Sequence, residues 1–275
     1  MVVRLSLASF AMAVLAAGGA APASANAVPL ATYRAVHDLV LGPSSDASFS
    51  TMHARLVTEF AGSECAGHTT TNRFVTEAEN DEGARQVTDS RSITFENRHG
   101  RFDFDNQTFD DGELAERTRG TAQRTATGIT VKLKDPSGKS VQVPADAVFP
   151  TEHLVRILDA ARAGKRFLSL SSYEGIDGGE SVSLVTAVIG AQSIATDDIG
   201  DETPIAKAGY AALPHWPVTI SYFEEGRGID QSPVYVLSAI LYENGVMRQL
   251  KLNYGRFTLL GTLVRLDILP PAPCP

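Results

Sequence analysis

The chain has 275 residues, 43% of them hydrophobic and 20% charged, with 32 acidic side chains against 24 basic ones and a net charge of −8. That length suits one large domain or two small ones with an ordinary core. An acidic balance without a basic block argues against nucleic acid and against electrostatic docking on anionic lipid.

Residues 1–25 read as a secretion signal. Arg4 supplies the positive start, Leu5 to Ala17 the apolar run, and Ala23-Ser24-Ala25 the small-residue cleavage pattern. A membrane anchor would need about 20 apolar residues, and Gly18, Gly19 and Pro22 interrupt this run. The expected product is exported and spans residues 26–275 as a single domain.

From residue 30 the pattern is strand-like. Stretches at 33–41, 52–60, 69–77, 86–96, 101–109, 115–125 and 129–133 are rich in Val, Thr and Phe, and clusters such as "ENDEG", "NRHG" and "DDGE" separate them. These predict a meander of antiparallel strands. "PTEHLVRILDAARAGKR" breaks the rhythm: Leu154, Ile157, Leu158 and Ala161 have helical spacing, with Thr151 as N-cap and Gly164 as the stop. A helix over 151–163 is expected to pack on the sheet. Strands near 167–173 and 181–190 follow, then "ATDDIGDETPIAKAGYAALPHWP", read as a long loop.

After strands at 217–224 and 234–243, Asn244-Gly245 signals a type I′ hairpin turn. Val246, Leu250, Leu252 and Tyr254 alternate with Met247, Gln249, Lys251 and Asn253. On the last strand Thr258, Leu260, Thr262, Val264, Leu266 and Ile268 share one face, opposite Arg265 and Asp267. The fold class is mainly β: a large antiparallel, strongly curved or spiral sheet, cup-like or barrel-like, with one helix near 151–163.

Cys65 and Cys274 are the only cysteines. Export favours their pairing over two unpaired buried thiols. The prolines around Cys274 predict an extended arm that returns it to Cys65 and fastens the ends of the curled sheet.

Catalytic signatures are missing. There is no nucleophile elbow, metalloprotease helix, phosphate loop or dinucleotide fingerprint, and the cysteines are too few for a structural zinc site. His37, His53, His68, His99, His153 and His215 lack metal-binding spacing; His37 and His68 are the pair with a chance of meeting across strands. "DFDNQTFDDGE" reads as an acidic hairpin in preference to a calcium loop, and Glu224 and Glu225 near Arg227 as a solvated turn. Trp216 either lines an apolar pocket or fills the core. No catalytic, cofactor-binding or metal residue is assigned, no cofactor is expected, and the ligand-binding residues are left open.

"YRAVHDLVL" at 33–41, "FAGSECAGHTTTNRFV" at 60–75, "DSRSITFENRHGRFDF" at 89–104 and "LYENGVMRQLKLNYGRFTLLGTLVRLDILPPAPC" at 241–274 resemble the alphaproteobacterial cell-envelope integrity protein EipB family. The resemblance implies a periplasmic protein with a spiral sheet around a cavity, closed by a disulfide at Cys65 and Cys274. It implies a non-enzymatic role in envelope integrity and a tetratricopeptide-repeat protein as periplasmic partner. The alternative function is a carrier for a lipid or other apolar ligand held in the cavity.

Overall fold

Residues 29–43, 49–138, 140–196, 199–224 and 232–274 are described in the computed structural model of the chain. The secretion signal at 1–25, Glu225 and Arg227 lie outside them. Alternating β-branched and aromatic residues, which suit a pleated half-buried surface, form β1 (Tyr33–Leu41), β2 (Thr51–Ser63), β3 (Gly67–Glu79), β4 (Arg85–Glu96), β5 (Arg101–Asp110), β6 (Glu113–Thr125), β7 (Gly128–Asp135) and β8 (Ser140–Val143). After helix α1 (Pro150–Arg162) come β9 (Phe167–Ser172), β10 (Ser183–Ile189), helix α2 (Thr203–Lys207), β11 (His215–Glu224), β12 (Tyr235–Tyr242), β13 (Met247–Asn253) and β14 (Thr258–Ile268). All pair antiparallel in one sheet of order β8-β7-β6-β5-β4-β3-β2-β1-β14-β13-β12-β11-β10-β9.

Several hairpins are set by their turn residues. Asp111 and Gly112, at φ 49° and 87°, make the two-residue turn between β5 and β6, so the acidic stretch is a hairpin. The expected type I′ turn at Asn244-Gly245 is different in the structure. Gly245 has positive φ and donates to Tyr242 O at 2.9 Å, and Tyr242 N donates to Val246 O at 2.9 Å, whereas Asn244 is not at positive φ. This is a three-residue loop, a type I turn closed by a left-handed glycine. The same bonding closes Asn80 to Ala84 and Asn97 to Arg101.

Helix α1 occupies the hollow of the curl. Ile157, Leu158 and Ala161 share one buried cluster with Leu39 and Met52 from one half of the sheet and Val185, Trp216 and Leu241 from the other. Trp216 therefore fills core. The N-cap is Phe149 in place of Thr151, with Pro150 opening the helix. The cap oxygens come from another strand: Glu96 accepts the Thr151 and Glu152 amides at 2.7 and 2.9 Å, a carboxylate at the positive end of the helix dipole. A second cluster packs Phe102, Phe104, Val131, Phe149 and Tyr173 beneath β5–β8. Charges lie in cross-strand pairs such as Arg55 with Asp38 at 2.6 Å and Arg117 with Asp105 at 2.7 Å. Hydrogen bonds from Arg73 and Arg91 hold the Asp89 carboxyl down to about 2.

Two features of the C-terminal strands run against the sequence pattern. On β14 the buried residues are Leu259 and Leu263, while Leu260, Val264 and Ile268 are 40%, 44% and 46% exposed. The inward row contains Gly261, which admits Leu39 where a Cβ would lie 3.0 Å from that side chain, and a pairing irregularity falls opposite Val36 and His37. A glycine in the buried row makes the other row look like the apolar one. On β13, Arg248 stands on the buried face and is fully enclosed. Its partner is Glu202, from the segment expected to be a loop. Glu202 accepts from Arg248 at 3.2 Å and from the Gln249 and Leu263 amides at 2.9 Å. That segment instead carries α2 and buries Ile205 against Ala35, Tyr242 and Leu263.

Cys65 and Cys274 form the disulfide, with Cα atoms 5.4 Å apart. Cys65 sits in the turn joining β2 to β3, and the C-terminal arm runs beside it, Ala272 N donating to Gly62 O at 3.1 Å. The bridge does not fasten the ends of the sheet as expected. Those ends are β8 and β9, while the bridge spans the middle, because β14 pairs with β1.

Cys274→Ser should destabilise the protein by about 3–5 kcal/mol, as loss of so long a covalent loop implies, lowering the thermal midpoint by about 10 °C. Non-reducing peptide mapping of the natural protein should show the linked pair. Glu202→Ala should also cost about 3–5 kcal/mol in denaturant titration, because Arg248 loses its carboxylate in a buried site.

Candidate functional site

The curl leaves a cleft of about 1230 Å³ that α1 does not fill. One wall belongs to β3–β6, where paired positions form two rows across the sheet. Asn72 faces Ser92, which faces Asn106, which faces Thr118; beside them run Phe74, Ser90, Thr108 and Glu116. The opposite wall carries Tyr222 of β11, Tyr235 of β12 and Tyr254 after β13. Their ring centroids stand 5.5 and 5.0 Å apart in sequence, and Phe257 and Phe49 extend the file.

The third wall is the glycine-rich segment after β9. Gly175 and Gly179 have φ of 66° and 77°, and a Cβ on either would strike Phe104 at 2.6 Å or Leu133 at 2.4 Å. Only glycine allows this loop so close to the second core cluster. Asn106 Nδ2 donates to Gly175 O at 2.8 Å and the Tyr173 hydroxyl to Gly179 O at 2.9 Å, which pins the loop. Glu174 then faces the cleft. Burial pushes its carboxyl up and nearby Asp177 adds to this, against an opposing hydrogen bond from Ser172. Burial also pushes the Tyr254 hydroxyl up to about 12 and raises those of Tyr222 and Tyr235, so all three remain neutral donors.

The histidines stay apart. His37 is buried on β1 with Nε2 3.2 Å from Met247 O, whereas His68 stacks on Phe60 at 4.9 Å. The register opposes Phe60 to Tyr33 and Thr70, so His68 lies beyond the row of Tyr33 and does not meet His37. His53 and His99 are exposed. His215 packs on Tyr242 at 4.8 Å. His153 of α1 is buried, edge-on to Tyr222 at 6.3 Å, and its Nε2 has no partner. Among the described residues no His, Cys, Asp and Glu are grouped to hold a metal ion, and no helix is long and apolar enough to cross a membrane.

Of the histidines, acidic residues and tryptophan weighed in the sequence as candidates for chemistry, Glu224 alone reaches the cleft, together with Asn106, Gln107 and Thr108 from the middle of the acidic stretch. The missed residues left one signal. On β5, Phe102 and Phe104 share a face with Asn106 and Thr108; on β6, Ala122 and Gly120 share one with Thr118 and Glu116. A face that turns from apolar to polar halfway along a strand marks a strand half in core and half in a cavity wall.

The sequence profile of a family described as EipB-like matches residues 24–270. The "Cell envelope integrity protein EipB" of Brucella abortus (strain 2308) is 38% identical over 250 residues, covering 90% of this chain and 88% of that one. A crystal structure described as a beta-barrel-like protein of a domain of unknown function, DUF1849, also from Brucella abortus, superposes with a TM-score of 0.82 at 35% identity. It covers 89% of this chain and 100% of its own.

Burial holds the His153 imidazole down to about 4 from 6.5. Below pH 6.5 the unfolded chain takes a proton that the folded one refuses, so this contribution to stability is full above 6.5 and is lost as pH falls towards 4. Between pH 7 and 4 the thermal midpoint of His153→Phe should fall less steeply than that of the natural protein.

Proposed function

The chain belongs to the EipB-like family, and from that premise we propose a non-enzymatic periplasmic protein that supports cell-envelope integrity by holding an envelope component in its cleft. The observation that carries the reading is the cleft itself: about 1230 Å³ of space walled by hydrogen-bonding side chains on a rigid sheet. Ligand sites for drug-sized molecules occupy roughly 300–1,000 Å³, so the space is ample for a segment of a larger molecule. Export follows from the signal at 1–25, and family membership supports a periplasmic tetratricopeptide-repeat protein as partner.

A lipid or other apolar ligand is the rival occupant. Sealing an acyl chain against these walls would strip water from the hydroxyls of Ser90, Ser92, Thr108 and the tyrosines without replacing its hydrogen bonds. Each such loss costs about 1–3 kcal/mol. The walls favour a polar occupant.

A deletion strain should be sensitive to detergents and cell-wall antibiotics. Ser92→Trp, which fills the cleft, should fold yet fail to restore resistance, with Thr108→Trp as a second filling variant; Arg55→Gln, on an exposed ion pair, should restore it. Full rescue by both filling variants would remove the cleft from the function.

A further inference from the structure

The two walls of the cleft are chemically unlike, and together they narrow the occupant. On β3–β5 the hydroxyls of Ser90, Ser92 and Thr108 make no hydrogen bond to the described residues, and neither do those of Tyr222, Tyr235 and Tyr254 opposite. These groups are donors and acceptors left for solvent or a ligand. Asn72 spends its carbonyl on Thr58 at 2.8 Å and Asn106 its amide on Gly175, so each retains the other half of its carboxamide.

Other classes of ligand fit less well. An extended peptide binds a sheet through an open strand edge; β3, β4, β5, β11 and β12 pair on both sides, and only the Glu113–Thr118 end of β6, paired with β5 alone, offers such an edge. An anionic polymer would meet Glu116, Glu174 and Asp177 along the walls, and the one arginine of the lining, Arg91, is engaged by Asp89 at 2.6 Å. The hydroxyl rows and the file of tyrosines match a neutral ligand rich in hydroxyls that also offers flat apolar patches to aromatic rings. Aromatic rings carry a hydrophobic body with a polar tip, and three in file suit a repeating ligand.

We propose that the cleft binds a neutral oligosaccharide segment several sugars long, its ring faces against Tyr222, Tyr235 and Tyr254 and its hydroxyl or acetamido groups on the rows of β3–β6. This rests on the reading that the cleft holds an envelope component and names its chemical class.

Titration calorimetry with the exported full-length protein should use the hexamer and dimer of N-acetylglucosamine and maltohexaose, with palmitate, phospholipid vesicles and a polylysine peptide as other classes. At least one neutral hexamer should bind, the N-acetylglucosamine dimer more weakly than its hexamer. Tyr235→Ala and the double variant Ser90→Ala with Ser92→Ala should each weaken binding about tenfold or more; Tyr235→Phe, which keeps the ring, should fold and lose less. Absence of binding by both hexamers at millimolar concentration overturns the proposal, as does glycan binding that survives both alanine variants. Palmitate, vesicle or peptide binding abolished by Ser92→Trp would overturn the sugar class while leaving the cleft as the working part. Failure of that broader reading is seen separately, in rescue of the deletion strain by the cleft-filling variants.

Discussion

The pairing of β1 with β14, from Tyr33 opposite Ile268 to Leu41 opposite Leu259, is the constraint on which the architecture depends. It puts the first and last strands at the centre of the sheet and leaves the mid-chain strands β8 and β9 as its two edges. The segment between those edges must then pass across the hollow of the curl. It does so as α1, whose apolar stripe meets both halves of the sheet, and Val148 makes a backbone bridge to Ser172 on the way in. Residues more than 200 positions apart have to meet before this core closes, a topology in which loop entropy is spent before contacts return it. The disulfide crosses a separation of 209 residues and reinforces the same junction, one strand away from the pairing.

Closure of the hollow is partial, and that is where the cleft comes from. Helix α1 and the aromatic cluster of Phe102, Phe104 and Tyr173 fill part of it. The remaining inward positions of β3–β6 are too polar to pack dry, since a buried hydroxyl needs a partner. The glycine loop at 175–179 walls this space because its backbone lies directly on Phe104 and Leu133. Core and cleft thus share strands, and a change at Phe104 would disturb both the packing beneath it and the loop that carries Glu174.

Polar groups inside the protein also hold elements together. Glu202 and Arg248 tie the α2 segment to β13 and β14, and Glu96 ties the start of α1 to β4. In each case a carboxylate satisfies backbone amides that would otherwise be buried without acceptors, so the acid residue fixes where an element docks as well as neutralising a charge or dipole.

Strands β1–β7, the helix and the antiparallel strand pattern were determined by local pattern, since alternation, turn glycines and helical spacing act over a few residues; the curl was implied by the number of strands, and the cysteine pair by there being two cysteines in a chain read as exported. The short strand β8, the buried Arg248, the facing of β14 and the role of Glu202 were decided by the tertiary structure, because each depends on what a distant segment brings. A charged residue in an alternating strand reads as exposed until its partner, 46 residues away, is in place. The cleft is of the same kind: Asn72, Thr108 and Tyr235 are ordinary strand residues by local pattern, and they become one site only when the β1–β14 pairing curls the sheet so that its two halves face each other.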